Sequence, residues 1–171
     1  MEEFYSNSPN CDWYKLIWPK KYITKHAVYM WLAVKGGLKT ADALKARNIV
    51  VPDLCSLCLL HKESVNHLFF ECHYTFDIIS KLIPGLNSFL LRPNLMQFLD
   101  WMHLEFKGKA DFKNFYKVVM SCAMYHIWKE RNSRRFGNSS LCHISLLFMI
   151  KRNIFDKVMS WKNSWKLLEN L

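Results

Sequence analysis

The stretch "CSLCLLHKESVNHLFFEC", Cys55 to Cys72, holds three of the chain's six cysteines and two of its seven histidines, with a third at His73. Cys55 and Cys58 form a CxxC pair, eight residues separate Cys58 from His67, and four separate His67 from Cys72. Three thiolates and one imidazole complete the tetrahedral set of a structural zinc ion, and a closed set of this kind leaves no position free for chemistry. The predicted ligands of one structural Zn2+ are therefore Cys55, Cys58, His67 and Cys72. A redox role for the CxxC is disfavoured because no βαβ pattern surrounds it.

The spacing carries a geometric condition. Positions five apart on a regular helix lie about 140° apart around the axis, and on a strand they face opposite sides. His67 and Cys72 reach one ion only if "LFFE" bends, so a turn of helix capped by Ser64 is expected to carry His67 and to end before Cys72. The helix containing Ile78 and Ile79 is expected to begin after it. His61 and His73 compete for the nitrogen position, His61 more seriously, since His73 sits beside Cys72 and points away.

Away from the cysteines the sequence is helical in pattern. Lys20 to Lys35 repeats Ile23, Ala27, Met30, Trp31 and Val34 at three- and four-residue spacing, with Gly36 and Gly37 to cap the end and Thr40 to cap a short helix "ADALKARN". "YTFDIISKLI" stops at Pro84 and Gly85, and "NLMQFLDWMHLEF" is closed by Gly108. Asp111 to Phe136 forms a long helix with a broad apolar face that includes Phe115, Val119, Cys122 and His126. A turn at residues 137–139 returns the chain in a last long helix through "LCHISLLFMIKRNIFDKVMSWKNSW", giving an antiparallel hairpin. Only "NIVV" before Pro52 looks extended. The expected fold is all-α, with an irregular zinc loop between N-terminal helices and a C-terminal helical hairpin. Residues 1–84 are assigned to a zinc-binding domain and residues 85–171 to a helical region packed on it.

Hydrophobic residues make up 51% of the 171, and there are five glycines and five prolines, so the chain is expected to be globular. The net charge of +10 favours phosphate backbones or other anionic partners. The first residues lack the apolar core of a secretory signal, and the longest apolar run, Ile144 to Ile150, falls far short of the roughly 20 residues that span a bilayer. These features point to a soluble intracellular protein with reduced cysteines, in nucleus or cytoplasm, and to no membrane partner.

The run from His26 to Ile79 resembles the zinc-binding domain that follows the reverse transcriptase in plant non-LTR retrotransposons. A Trp-containing helix precedes Leu38, Thr40, Asp42 and Leu44, then the cysteine pair, then Glu63, Ser64, His67, Leu68, Phe69 and Cys72 in the order of that family. The resemblance covers about Trp13 to Leu82, and "IWKERNSRRFGN" (Ile127 to Asn138) is similar to a segment found downstream in such elements. Ala41 and Ala43 stand where the family often has basic residues, and no Tyr-x-Asp-Asp stretch of a polymerase occurs. The remainder resembles a detached C-terminal portion of such an element.

The resemblance implies a non-catalytic accessory module that binds RNA or DNA beside a reverse transcriptase. Lys129, Arg131, Arg134 and Arg135, with Trp128, form a basic and aromatic cluster suited to phosphates and bases. Lys20, Lys21 and Lys25 form a second basic patch, and Lys35, Lys39, Lys45 and Arg47 a third. The alternative is a zinc-stapled interaction scaffold, with tryptophans such as Trp161 and Trp165 at an interface, or an inert piece of a larger polyprotein. An enzyme is least supported: no Gly-rich phosphate loop or HExxH stretch appears, and only His126 with Glu130 has the spacing of a base and its orienter.

Overall fold

The computed structural model describes residues 17–18, 21–88, 92–105, 110–137, 139–169 and 171. Helix α1 (Thr24–Val34) is followed by the short α2 (Ala41–Lys45) and then by the cysteine loop. A π-helical turn (His67–Glu71) leads into α3 (His73–Leu82), a 3₁₀ turn (Pro84–Ser88) and α4 (Leu95–Glu105). The long α5 (Ala110–Phe136) and α6 (His143–Val158) pack side by side, and α7 (Ser164–Leu168) closes the chain. Among the described residues the sole β pairing is an isolated bridge between Leu54 and Lys62, so "NIVV" forms no strand. The all-α fold expected from the sequence is the one observed. No described helix is long and apolar enough to cross a membrane.

The core centres on α5. Phe115 and every residue from Tyr116 to Met124 are buried, as are His126, Ile127 and Trp128, because α1 covers one flank of the helix and α6 another. Ile78, Ile79 and Leu82 of α3 join the same apolar cluster, which also takes in Cys55, Cys72 and Leu68 from the cysteine loop. The core therefore runs across residue 84 and unites the zinc loop with the C-terminal helices.

Several expectations change in detail. The buried stripe of α1 is His26, Ala27, Met30 and Ala33, whereas Trp31 is 38% exposed: the helix rolls a few tens of degrees from the face its apolar residues suggest, and buries a histidine. Gly36 supplies the expected left-handed cap at φ 63°. Thr40 occupies the N-cap of α2, but its hydroxyl donates to Asp42 Oδ1 at 2.5 Å, and the Ala41 N–H is taken by the Glu63 carboxylate at 2.9 Å instead. The last long helix is split, because Asn163 adopts left-handed backbone (φ 57°) between α6 and α7. The expected closure of α4 at Gly108 lies outside the described residues.

A buried carboxylate joins the two ends of this layout. Glu63 is 1% exposed and Arg131, on the last turns of α5, is equally buried. Arg131 Nε donates to Glu63 Oε2 at 2.9 Å and its Nη2 to Oε1 at 2.5 Å, a two-pronged pair, and Arg135 Nη1 adds a third contact at 2.8 Å. Removing one partner of such a pair leaves a charge stranded away from water. Arg131→Met is expected to lower stability by about 3 kcal/mol in urea unfolding, and Glu63→Gln combined with Arg131→Met by clearly less than the sum of the single changes. Additive effects would contradict a coupled pair.

Candidate metal centre

The loop before the ligands is built from backbone turns. Cys55 N–H donates to His61 O at 2.9 Å, Glu63 N–H to Asp53 O at 2.8 Å and Leu59 N–H to Cys55 O at 2.8 Å, folding residues 53–63 into a tight knuckle. Leu59, directly after Cys58, takes left-handed backbone at φ 58°, a conformation that costs a non-glycine residue about 1 kcal/mol. The turn holds Cys55 and Cys58 toward the core while Leu59 and Leu60 stay exposed.

The second pair of ligands arrives on the π turn. Ser64 Oγ accepts the His67 N–H at 3.0 Å, which is the cap the sequence predicts. The next turn closes with Cys72 N–H on His67 O at 2.8 Å, five residues back rather than four. That wider turn brings His67 and Cys72 to the same side, and α3 starts at His73, so the bend required by the five-residue spacing takes the form of a π turn.

One ligand atom from each of Cys55, Cys58, His67 and Cys72 lies within 4.8 Å of the others, and Cys58 Sγ stands 3.3 Å from His67 Nε2. His67 Nδ1 faces Glu71 Oε2 at 3.9 Å, on the side of the ring away from Cys58 Sγ. Burial lowers the His67 pKa, which keeps the ring neutral and its lone pair available. The closeness of the Cys55 and Cys72 thiols pushes the Cys55 thiol up, with burial adding to it, and draws the Cys72 thiol down, so a bound metal would displace the Cys55 proton. His61, whose ring lies 5.5 Å from that of His67, and His73 stand outside the group and are exposed. The Cys3His donor set fits one structural zinc ion.

Residues 2–78 match the family described as zinc-binding in reverse transcriptase. The match includes all four ligands and the Glu63 that receives Arg131, and it ends within α3. No curated protein and no solved structure matches the chain.

The basic cluster is placed otherwise than the sequence suggests. Arg131 donates to Lys39 O at 3.1 Å besides holding Glu63; Arg134 holds Glu130 at 2.8 Å, Leu57 O at 3.2 Å and Leu141 O at 2.6 Å; Arg135 holds Glu63 and Pro52 O. The three arginines thus grip backbone carbonyls at 39, 52 and 57, around the zinc knuckle. Trp128 is 7% exposed and lies under the Arg131 guanidinium at 4.7 Å. Of the five residues expected to meet nucleic acid, Lys129 alone is exposed; phosphate contact by Arg131 and base stacking on Trp128 would need surface these buried groups do not offer.

Other expectations also move. Trp161 is buried beneath Lys21, 5.0 Å from the ring, while Trp165 is 59% exposed. His126 and Glu130 do not pair: Glu130 takes Arg134 and the Leu141 N–H at 2.8 Å. The sequence signal for the Glu63 clamp is one acid in the loop and one arginine in "KERN", but 67 intervening positions hide their meeting.

Because the four ligands are supplied by two separate turns, losing one should open both. Cys58→Ser is expected to remove one zinc per chain by elemental analysis and to speed amide exchange from Val50 to Ile79. A variant that keeps its full metal content would contradict the assignment.

Proposed function

We propose that the chain is a non-catalytic, zinc-stapled module derived from a retrotransposon reverse transcriptase and that it holds RNA or DNA. The observation that carries this reading is the match of residues 2–78 to a zinc-binding region of reverse transcriptases, with its ligand set intact and a net charge of +10 on the chain. With the arginines of α5 turned inward, the phosphate-binding surface moves to the segments around the knuckle. Lys39, Arg47 and Lys62 are exposed there, with Lys45 beside them paired to Asp53. Cations on a surface whose backbone is fixed by a metal and a buried ion pair meet phosphates with less ordering cost, since only their side chains remain to be fixed.

A second reading has its own support. Ile49, Val50, Leu54, Leu59 and Leu60 are all exposed, Val50 at 97%, on the same loop. Exposed apolar residues grouped in this way favour a protein partner, and a reverse transcriptase is the partner the family match suggests. The two surfaces give different readouts.

Titrating salt against binding of the zinc-loaded chain to labelled single-stranded RNA, with duplex DNA for comparison, should give a steep fall in affinity. The triple change Lys39→Glu, Arg47→Glu, Lys62→Glu is expected to flatten that slope by roughly two to three, near one for each cation that no longer meets a phosphate. No binding at low salt would overturn the nucleic-acid reading and leave the apolar loop as the working surface.

A further inference from the structure

Two histidines are buried between α1 and α5 in a way that their own packing does not explain. His26 is 1% exposed and His126 is 7% exposed, and all four of their ring nitrogens lack a hydrogen-bond partner among the described residues. Buried imidazoles normally spend their N–H on a carbonyl, a hydroxyl or a carboxylate. Here the His26 ring stacks on Tyr125 at 4.5 Å and meets the His126 ring edge at 5.6 Å. Asn153 donates its Nδ2 to Met149 O at 2.9 Å, and its amide oxygen lies on the His126 side, where it favours the charged ring against the larger effect of burial.

Cys122 completes the group. It sits one helical turn before His126 on α5, fully buried, and among the described residues its thiol makes only a long reach of 4.0 Å to Ile150 O. One ligand atom from each of His26, Cys122 and His126 lies within 4.8 Å of the other two, close enough for the three to converge on one ion.

We propose that His26, Cys122 and His126 form a second metal site, which takes a borderline-soft divalent ion such as Zn2+ and staples α1 to α5. Two imidazoles and one thiolate are a donor set that suits zinc, with the fourth position open to a solvent-derived ligand. His126 also lines a cleft of about 210 Å³ with Lys129, Glu130, Ser133 and Met149, which brings solvent-accessible space up to one of the three ligands. Burial keeps both rings neutral, with each pKa lowered to about 4, so they offer lone pairs at ordinary pH. Burial also pushes the Cys122 thiol up to about 12, so binding must drive its proton out to solvent while the sulfur bonds the metal. The ammonium groups of Lys25 and Lys129 oppose a cation here, and the thiolate charge offsets one of them.

The site shares no residue with the Cys3His centre, so metal counting separates the two. The full chain, loaded with Zn2+ and freed of excess, is expected to hold two zinc ions, and Cys122→Ala to hold one. Cobalt titration of the unmodified chain gives a check that needs no variant: the two equivalents should together show sulfur-to-cobalt absorption from four thiolates, and Cys122→Ala should lose a quarter of it while retaining the three-thiolate spectrum. One zinc in the unmodified chain, or a count and spectrum unchanged by Cys122→Ala, would overturn the proposal.

Discussion

The Glu63 carboxylate is where the zinc knuckle, the second helix and the long fifth helix meet. It caps α2 through the Ala41 N–H, receives Arg131 in a two-pronged contact and accepts Arg135, all with its side chain withdrawn from water. A buried acid is tolerable only with its charge and lone pairs answered, and the answers here come from two distant parts of the chain, the Ala41 N–H of α2 and the two arginines of α5. The arrangement ties residues far apart in sequence into one geometry, and it uses up the basic groups that would otherwise face solvent.

The zinc ligands obey a second constraint, the five-residue interval between His67 and Cys72. An α turn separates the two side chains, and a π turn joins them. This much is legible in the sequence, because ligand identity and spacing are local properties, and Ser64 stands where a cap is needed. The cap of α2 is another matter: Thr40 has the right chemistry at the right place, but a carboxylate from 22 residues on takes the amide first.

The arginines mark the limit of reading from sequence. Cations at a helix end with an aromatic beside them look the same whether they serve phosphates, the helix dipole or a distant carboxylate. Only the fold puts Glu63 against Arg131 and the carbonyls of Pro52 and Leu57 against Arg135 and Arg134. His126 is obscured for a related reason: on an apolar helix face it looks like an ordinary core residue, and its meeting with His26 depends on how α1 rolls against α5. In both cases the missing information is a contact between elements rather than a preference within one.

If the buried carboxylate organises the knuckle, metal affinity must respond to it even though Glu63 touches no ligand atom. The decisive measurement is the zinc affinity of Glu63→Gln against the unaltered chain, by competition with a chelator that reports on the Cys3His centre. A neutral amide cannot hold two arginines as firmly, so affinity should fall by about tenfold or more, as changes around a ligand shell typically do. An affinity equal to that of the unaltered chain would mean that the knuckle is set by its ligands alone.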